Sequence, residues 1–152
     1  MGAETGPSWV PTPAEHEAAR KPNAVSCVLR VADARGHSLL LTGDIEREQE
    51  LRLAGRSGDA LHAEVLLVPH HGSRTSSTSA FVAAVAPRWV LFPVGYRNRF
   101  RHPHPDVWER WSAGGARLER TDSAGALTVQ LTAGGVNVDT ARAVAPRYWY
   151  GR

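Results

Sequence analysis

Three short apolar runs recur along the chain, and each gives way abruptly to residues that carry chemistry. Leu39-Leu40-Leu41-Thr42 ends in Gly43-Asp44, and Leu66-Leu67-Val68-Pro69 ends in His70-His71-Gly72-Ser73. Trp89-Val90-Leu91-Phe92-Pro93-Val94 opens into a loop running to His104 and Pro105. Apolar runs of this length read as buried strands. Polar segments with helical spacing separate them. Residues Ile45 to Leu53 are rich in Glu, Arg, Gln and Leu, with Gly55 as a stop. Ser76-Ser77-Thr78-Ser79 suits the start of a helix carrying Phe81, Val82 and Val85. Pro105 fits a first helical position, and Val107, Trp108 and Trp111 follow at the spacing of a buried face.

Upstream, Ser26 to Ala32 is strand-like, and Asp33-Ala34-Arg35-Gly36-His37 reads as a hairpin loop into Ser38–Thr42. Downstream, Arg117–Arg120 and Ala126–Thr132 read as two further strands joined through residues 121–125. The order β-β-α-β-α-β-α-β-β predicts an α/β fold, a mixed sheet with helices on one face. Residues 1–22 break regular structure with Pro7, Pro11, Pro13 and Pro22 and read as an irregular connecting segment. Residues 23–135 hold the fold, and residues 136–152, which show no clear period, read as a tail.

Composition adds boundaries. The chain has 152 residues, 42% hydrophobic and 22% charged, which suits one soluble globular domain and excludes a disordered chain. No apolar run approaches the roughly 20 residues of a membrane helix, and the N-terminus lacks the pattern of a signal peptide. The lone cysteine, Cys27, excludes an intramolecular disulfide and reads as a small buried hydrophobe. The net charge of +3 says little by itself, but its distribution does. Arg97, Arg99 and Arg101 alternate around Asn98 and Phe100 in the loop that carries His102 and His104. That pattern fits either a solvated loop or a phosphate-binding rim with Tyr96 or Phe100 placed for base stacking.

In α/β proteins, residues just past strand ends are where chemistry is mounted. Asp44, the pair His70 and His71, and His102 all follow apolar runs, and their side chains are ligands suited to zinc or manganese. Asp44 has a second reading as the cap of the helix that follows it.

At this point the residues resemble a known family. Pro22-Asn23-Ala24-Val25-Ser26-Cys27-Val28-Leu29, Leu40-Leu41-Thr42-Gly43-Asp44-Ile45-Glu46 and Val68-Pro69-His70-His71-Gly72-Ser73 look like the metallo-β-lactamase-fold domain at the C-terminus of ComEC competence DNA-uptake proteins. Val94-Gly95, Asn98, His102-Pro103 and Arg120-Thr121-Asp122 with Gly125 continue the likeness, which covers roughly residues 20 to 132. The resemblance implies an αββα sandwich, of which residues 23–135 are the C-terminal half, and a metal-dependent phosphodiesterase. It also implies a membrane channel in the full-length family member and degradation of the DNA strand that is not imported. Asp44 would bridge two divalent metals, Mn or Zn, with His71 and His102 as further metal residues. Catalytic roles fall to Asp44, His70 and His71, and Ser73, Arg74, Asn98 and Arg99 would hold single-stranded DNA. Which of His70 and His71 is the ligand stays open. If the backbone there is extended, only one of the two faces the metals.

The family's first metal motif, His-x-(His/Asp)-x-Asp-His, is absent, and Glu15-His16-Glu17 lacks its spacing. The expectation is therefore weak metal binding, little or no nuclease activity from this chain alone, and self-association through an uncovered sheet face. Two other readings stand beside it: a non-catalytic module that binds nucleic acid or a partner, and a hydrolase of a small ester or lactone.

Overall fold

The computed structural model describes residues 4–14 and 22–147, with backbone alone for residues 4–9. Its frame is a six-stranded sheet in sequential order: β1 (Glu4–Trp9), β2 (Val28–Ala32), β3 (Ser38–Leu41), β4 (Val65–Leu67), β5 (Trp89–Phe92) and β6 (Arg117–Arg120). β1, β2 and β3 pair antiparallel, and β3 to β6 pair parallel, so the fold is α/β with a mixed sheet. The β2–β3 hairpin closes as its sequence predicts. Asp33 Oδ1 accepts from the backbone N–H groups of Arg35 and His37, and Gly36 turns at φ 91°.

Each parallel crossover needs a connection long enough for a helix. These are α1 (Arg47–Ser57), α2 (Ser79–Val85) and α3 (Pro105–Ala113). Register aligns Leu40, Leu66 and Val90 on neighbouring strands, and all three are fully buried. Against them lie Leu53 of α1, Phe81 and Val85 of α2, and Val107 and Trp111 of α3. The alternate strand positions face the other way: Val65 and Leu91 are buried there, while Leu39, Leu41, Leu67 and Trp89 are half-buried.

Several elements differ from expectation. Residues 4–9 form a strand rather than irregular chain, because Pro7 lies in an edge strand, where a missing N–H is tolerated, beside a register shift. Helix α1 begins two residues later than the polar pattern suggests and runs through Gly55 to end at Gly58. Gly135–Thr140 forms a strand, β8, paired in a two-stranded sheet with β7 (Leu127–Thr132), so the fold continues into the expected tail. One-turn helices follow β6 and β8, α4 (Thr121–Ala124) and α5 (Ala141–Val144). Cys27 is exposed rather than buried, since β2 starts one residue after it. Glu15, His16, Glu17 and the aromatic C-terminus from Tyr148 lie outside the described residues.

The parallel strands fix the location of the chemistry. β3, β4, β5 and β6 all point their carboxyl ends to one edge of the sheet. Asp44, the histidine pair, Pro93 and Thr121 therefore emerge side by side.

Candidate functional site

Asp44 follows the tight turn at Gly43, whose φ is 55°. It is not the cap of α1. That position belongs to Glu46, whose N–H is taken by the Gln49 side chain at 3.3 Å. The carboxylate of Asp44 is thus free of a capping duty, while its backbone N–H donates to Ser26 Oγ at 3.2 Å.

The histidine pair is not extended. His70 (φ 47°, ψ 44°) and His71 (φ 55°, ψ 17°) are both left-handed within a single turn, Pro69–Gly72. Strand alternation therefore does not apply, and both rings face the loop that carries Asp44 and Glu46. Left-handed backbone costs a residue with a side chain about 1–2 kcal/mol, and such conformations persist where surrounding structure enforces them. Here the enforcement is visible: His70 N–H donates to Gly43 O at 3.0 Å, and Ser73 N–H donates to His70 O at 2.9 Å.

The two rings have different partners. His71 Nδ1 lies 2.8 Å from Pro93 O. A carbonyl only accepts, so Nδ1 carries a proton and Nε2 is the ring nitrogen left to face other groups. That Nε2 lies 3.6 Å from Asp44 Oδ1. The separation is long for a hydrogen bond, yet close to the roughly 3.4 Å between two donors each about 2.1 Å from one tetrahedral ion. An imidazole whose far nitrogen donates to a backbone carbonyl is also how metal-binding histidines are held. His71 and Asp44 thus fit a divalent metal. His70 Nδ1 instead lies 3.3 Å from Glu46 Oε1, which also accepts from Thr75 Oγ1 at 3.1 Å.

His102 sits behind this pair, its ring 6.2 Å from that of His70 and stacked on Phe100 at 5.8 Å. Burial pushes its imidazole below the ordinary range, with the neighbouring His70, His71 and His104 adding to the shift. Both effects favour the uncharged ring. No group of three His, Cys, Asp or Glu side chains converges tightly enough to hold an ion among the described residues. Asp44 and His71 stand at the spacing that two ligands of one ion would have.

The residues expected to grip a substrate divide into two kinds. Ser73 and Asn98 are used internally. Ser73 Oγ meets Thr75 Oγ1 at 3.1 Å, and Asn98 clamps the backbone of His102 from both sides, at 2.8 and 3.0 Å. Arg74 and Arg99 are exposed. So are Arg97 and Arg101, and with them Tyr96 and Phe100, at 74% and 66% of their full surface. Arg97 lies over the Tyr96 ring and Arg99 over the Phe100 ring, at 5.2 and 5.0 Å. His104 caps α3, accepting from Asp106 N–H at 3.3 Å.

Sequence reasoning passes over Glu46, Thr75 and Pro93. Glu46 had a signal, a carboxylate two residues after Asp44 at the start of a helix. Pro93 had none, because its contribution is a carbonyl oxygen that every residue possesses.

No family model matches the chain. It is 44% identical over 127 residues to competence protein ComA of Neisseria gonorrhoeae, covering 84% of this chain and 18% of that protein. Recombination protein 2 of Haemophilus influenzae is 34% identical over 134 residues, which is 88% of this chain and 16% of the relative. ComE operon protein 3 of Bacillus subtilis is 35% identical over 92 residues, 60% of this chain and 12% of the relative. The chain is a relative of these three proteins, one of them named for competence, and spans less than a fifth of the length of each.

Proposed function

We propose that this chain belongs to a metal-dependent phosphodiesterase domain of the DNA-uptake apparatus and contributes half of its metal site. The observation that carries the reading is the pairing of His71 Nε2 with Asp44 Oδ1 at 3.6 Å, with Nδ1 of the same ring committed to Pro93 O. The relative named for competence supplies the biological setting.

Asp44 and His71 would hold the metal. Bound there, a divalent ion lowers the pKa of coordinated water toward neutrality and stabilises charge on phosphoryl oxygens. The rest falls to the protein. Glu46 and Thr75 orient His70 beside the metal pair, and the His102 ring backs it at 6.2 Å. Arg74, Arg97, Arg99 and Arg101 supply positive charge for a phosphodiester backbone, and the exposed Tyr96 and Phe100 offer faces for unpaired bases. This suits single-stranded DNA better than a small neutral ester. The remaining donors would come from the upstream half of the domain, within a membrane-channel protein.

A second reading has its own observation. With no third donor in place among the described residues, the chain alone suits a nucleic-acid-binding role. One experiment separates the two: titration of the purified chain with a labelled single-stranded oligonucleotide, with and without Mn²⁺. The phosphodiesterase reading predicts affinity that rises with Mn²⁺ in wild type and not in Asp44→Ala. Affinity indifferent to Mn²⁺, and the same in wild type and Asp44→Ala, would favour the binding module.

A further inference from the structure

We infer that Thr121 is a positioning residue for His71, acting through the carbonyl of Pro93. The chain leaves β5 through a three-residue turn, in which Val94 N–H donates to Phe92 O at 3.0 Å. The Thr121 hydroxyl is fastened to that turn on two sides. It accepts from Val94 N–H at 2.8 Å and donates to Val94 O at 2.7 Å, with Phe92 O 3.4 Å away. Pro93 lies between the two residues that Thr121 grips, and its carbonyl is the acceptor for His71 Nδ1 at 2.8 Å. The Pro93 carbonyl and the Val94 N–H belong to one planar peptide unit, so the bond from that N–H to the Thr121 hydroxyl sets the direction of the carbonyl.

Thr121 is itself held. It opens the one-turn helix α4 at the end of β6, and the flanking residues form a two-pronged ion pair, Arg120 to Asp122 at 3.0 and 2.7 Å. The Arg120 guanidinium also lies 6.0 Å from the centre of the Trp108 ring, tying the turn to α3. A path of direct contacts therefore runs from the end of β6, through the turn after β5, to the ring at the end of β4. Its final member points at Asp44.

The positioning claim concerns the metal-free protein. Only its consequence for metal affinity rests on the reading of Asp44 and His71 as ligands. With the hydroxyl in place, Pro93 O holds Nδ1–H of His71 and turns the Nε2 edge of the ring toward Asp44. Without it, the carbonyl is free to turn away, and the ring loses its preference.

Long-range ¹H–¹⁵N correlation spectra of metal-free protein, with His71 assigned by its loss in His71→Gln, report the tautomer directly. The expected result is Nδ1–H in wild type, a mixture of tautomers in Thr121→Val, and restoration in Thr121→Ser, which keeps the hydroxyl. Thermal unfolding confirms that each variant is folded. If Thr121→Val does not fold, Thr121→Ala takes its place. A folded variant without the hydroxyl whose His71 signals match wild type overturns the inference, as does an Nε2–H tautomer in wild type itself. Zinc titration of the same proteins should show affinity about tenfold weaker in Thr121→Val, the scale of removing an outer support of a metal ligand. If wild type binds no zinc while the tautomer still shifts, the ligand reading fails and the positioning role stands.

Discussion

At the scale of single residues, the site is built less from unusual side chains than from committed hydrogen bonds. His70 and His71 are neighbours with the same chemistry, yet one ring answers to a carboxylate and the other to a backbone carbonyl. Asp122 illustrates the same logic away from the site. Its pairing with Arg120 holds its carboxyl below the usual Asp range. A group whose pKa is lower folded than unfolded contributes stability above its unfolded value, about 3.9, and loses it as pH falls through the folded one. Asp122→Asn should therefore cost about 1 kcal/mol at pH 7 and progressively less below pH 4. Denaturant melts of the two proteins at pH 7 and pH 2.5 check this, and an equal cost at both would contradict it.

At the scale of elements, the left-handed turn after β4 is the most exacting piece of the fold. Gly72 sits there at φ 81°, and a Cβ on it would meet Pro103 Cβ at 2.8 Å and the Phe92 ring at 3.0 Å. Both obstacles are buried, so neither yields easily. Gly72→Ala should destabilise the protein by about 2 kcal/mol or more and disturb the histidine pair with it. A Tm unchanged by this substitution would count against the turn as described.

This turn also marks where sequence and structure part company. Strands β3, β4 and β5 were legible because Leu40, Leu66 and Val90 belong to short unbroken apolar runs. The location of Asp44 and the histidines at strand ends followed from the same runs. The backbone of His70 and His71 was not legible, since residues with side chains seldom adopt left-handed geometry and the bond to Gly43 O that imposes it comes from another strand end. Glu50 is a similar case. It falls among the charged positions of α1, yet it is fully buried and accepts from Thr78 N–H at 2.6 Å and from Ser77 N–H. Burial raises its pKa, an effect of tertiary contact that no local pattern records. β1 was missed because Pro7 argues against a strand anywhere but at an edge, and edges are assigned by the whole sheet.

At the scale of the whole molecule, charge and topology coincide. The parallel strands deliver Asp44 and His71 to one edge, and the loop after β5, which leaves from the same edge, carries the exposed Arg97, Arg99 and Arg101. The described residues contain no helix long and apolar enough to cross a membrane. If this loop is the rim that holds a nucleic-acid strand, replacing the three arginines with alanine should weaken oligonucleotide binding and flatten its dependence on salt. Removing one arginine–phosphate ion pair lowers the slope of log K against log salt by about 0.7 for a single strand. Fluorescence anisotropy across a salt series reads this, and an unchanged slope would show that the loop is only a solvated surface.

Whether Asp44 and His71 are two donors of a metal site is decided by calorimetric titration of the purified protein with Zn²⁺ and Mn²⁺, with Asp44→Ala and His71→Ala alongside. Wild type should bind weakly, as suits an incomplete ligand set, and either substitution should remove that binding. Binding of equal strength in all three proteins, or none in wild type, would contradict the assignment.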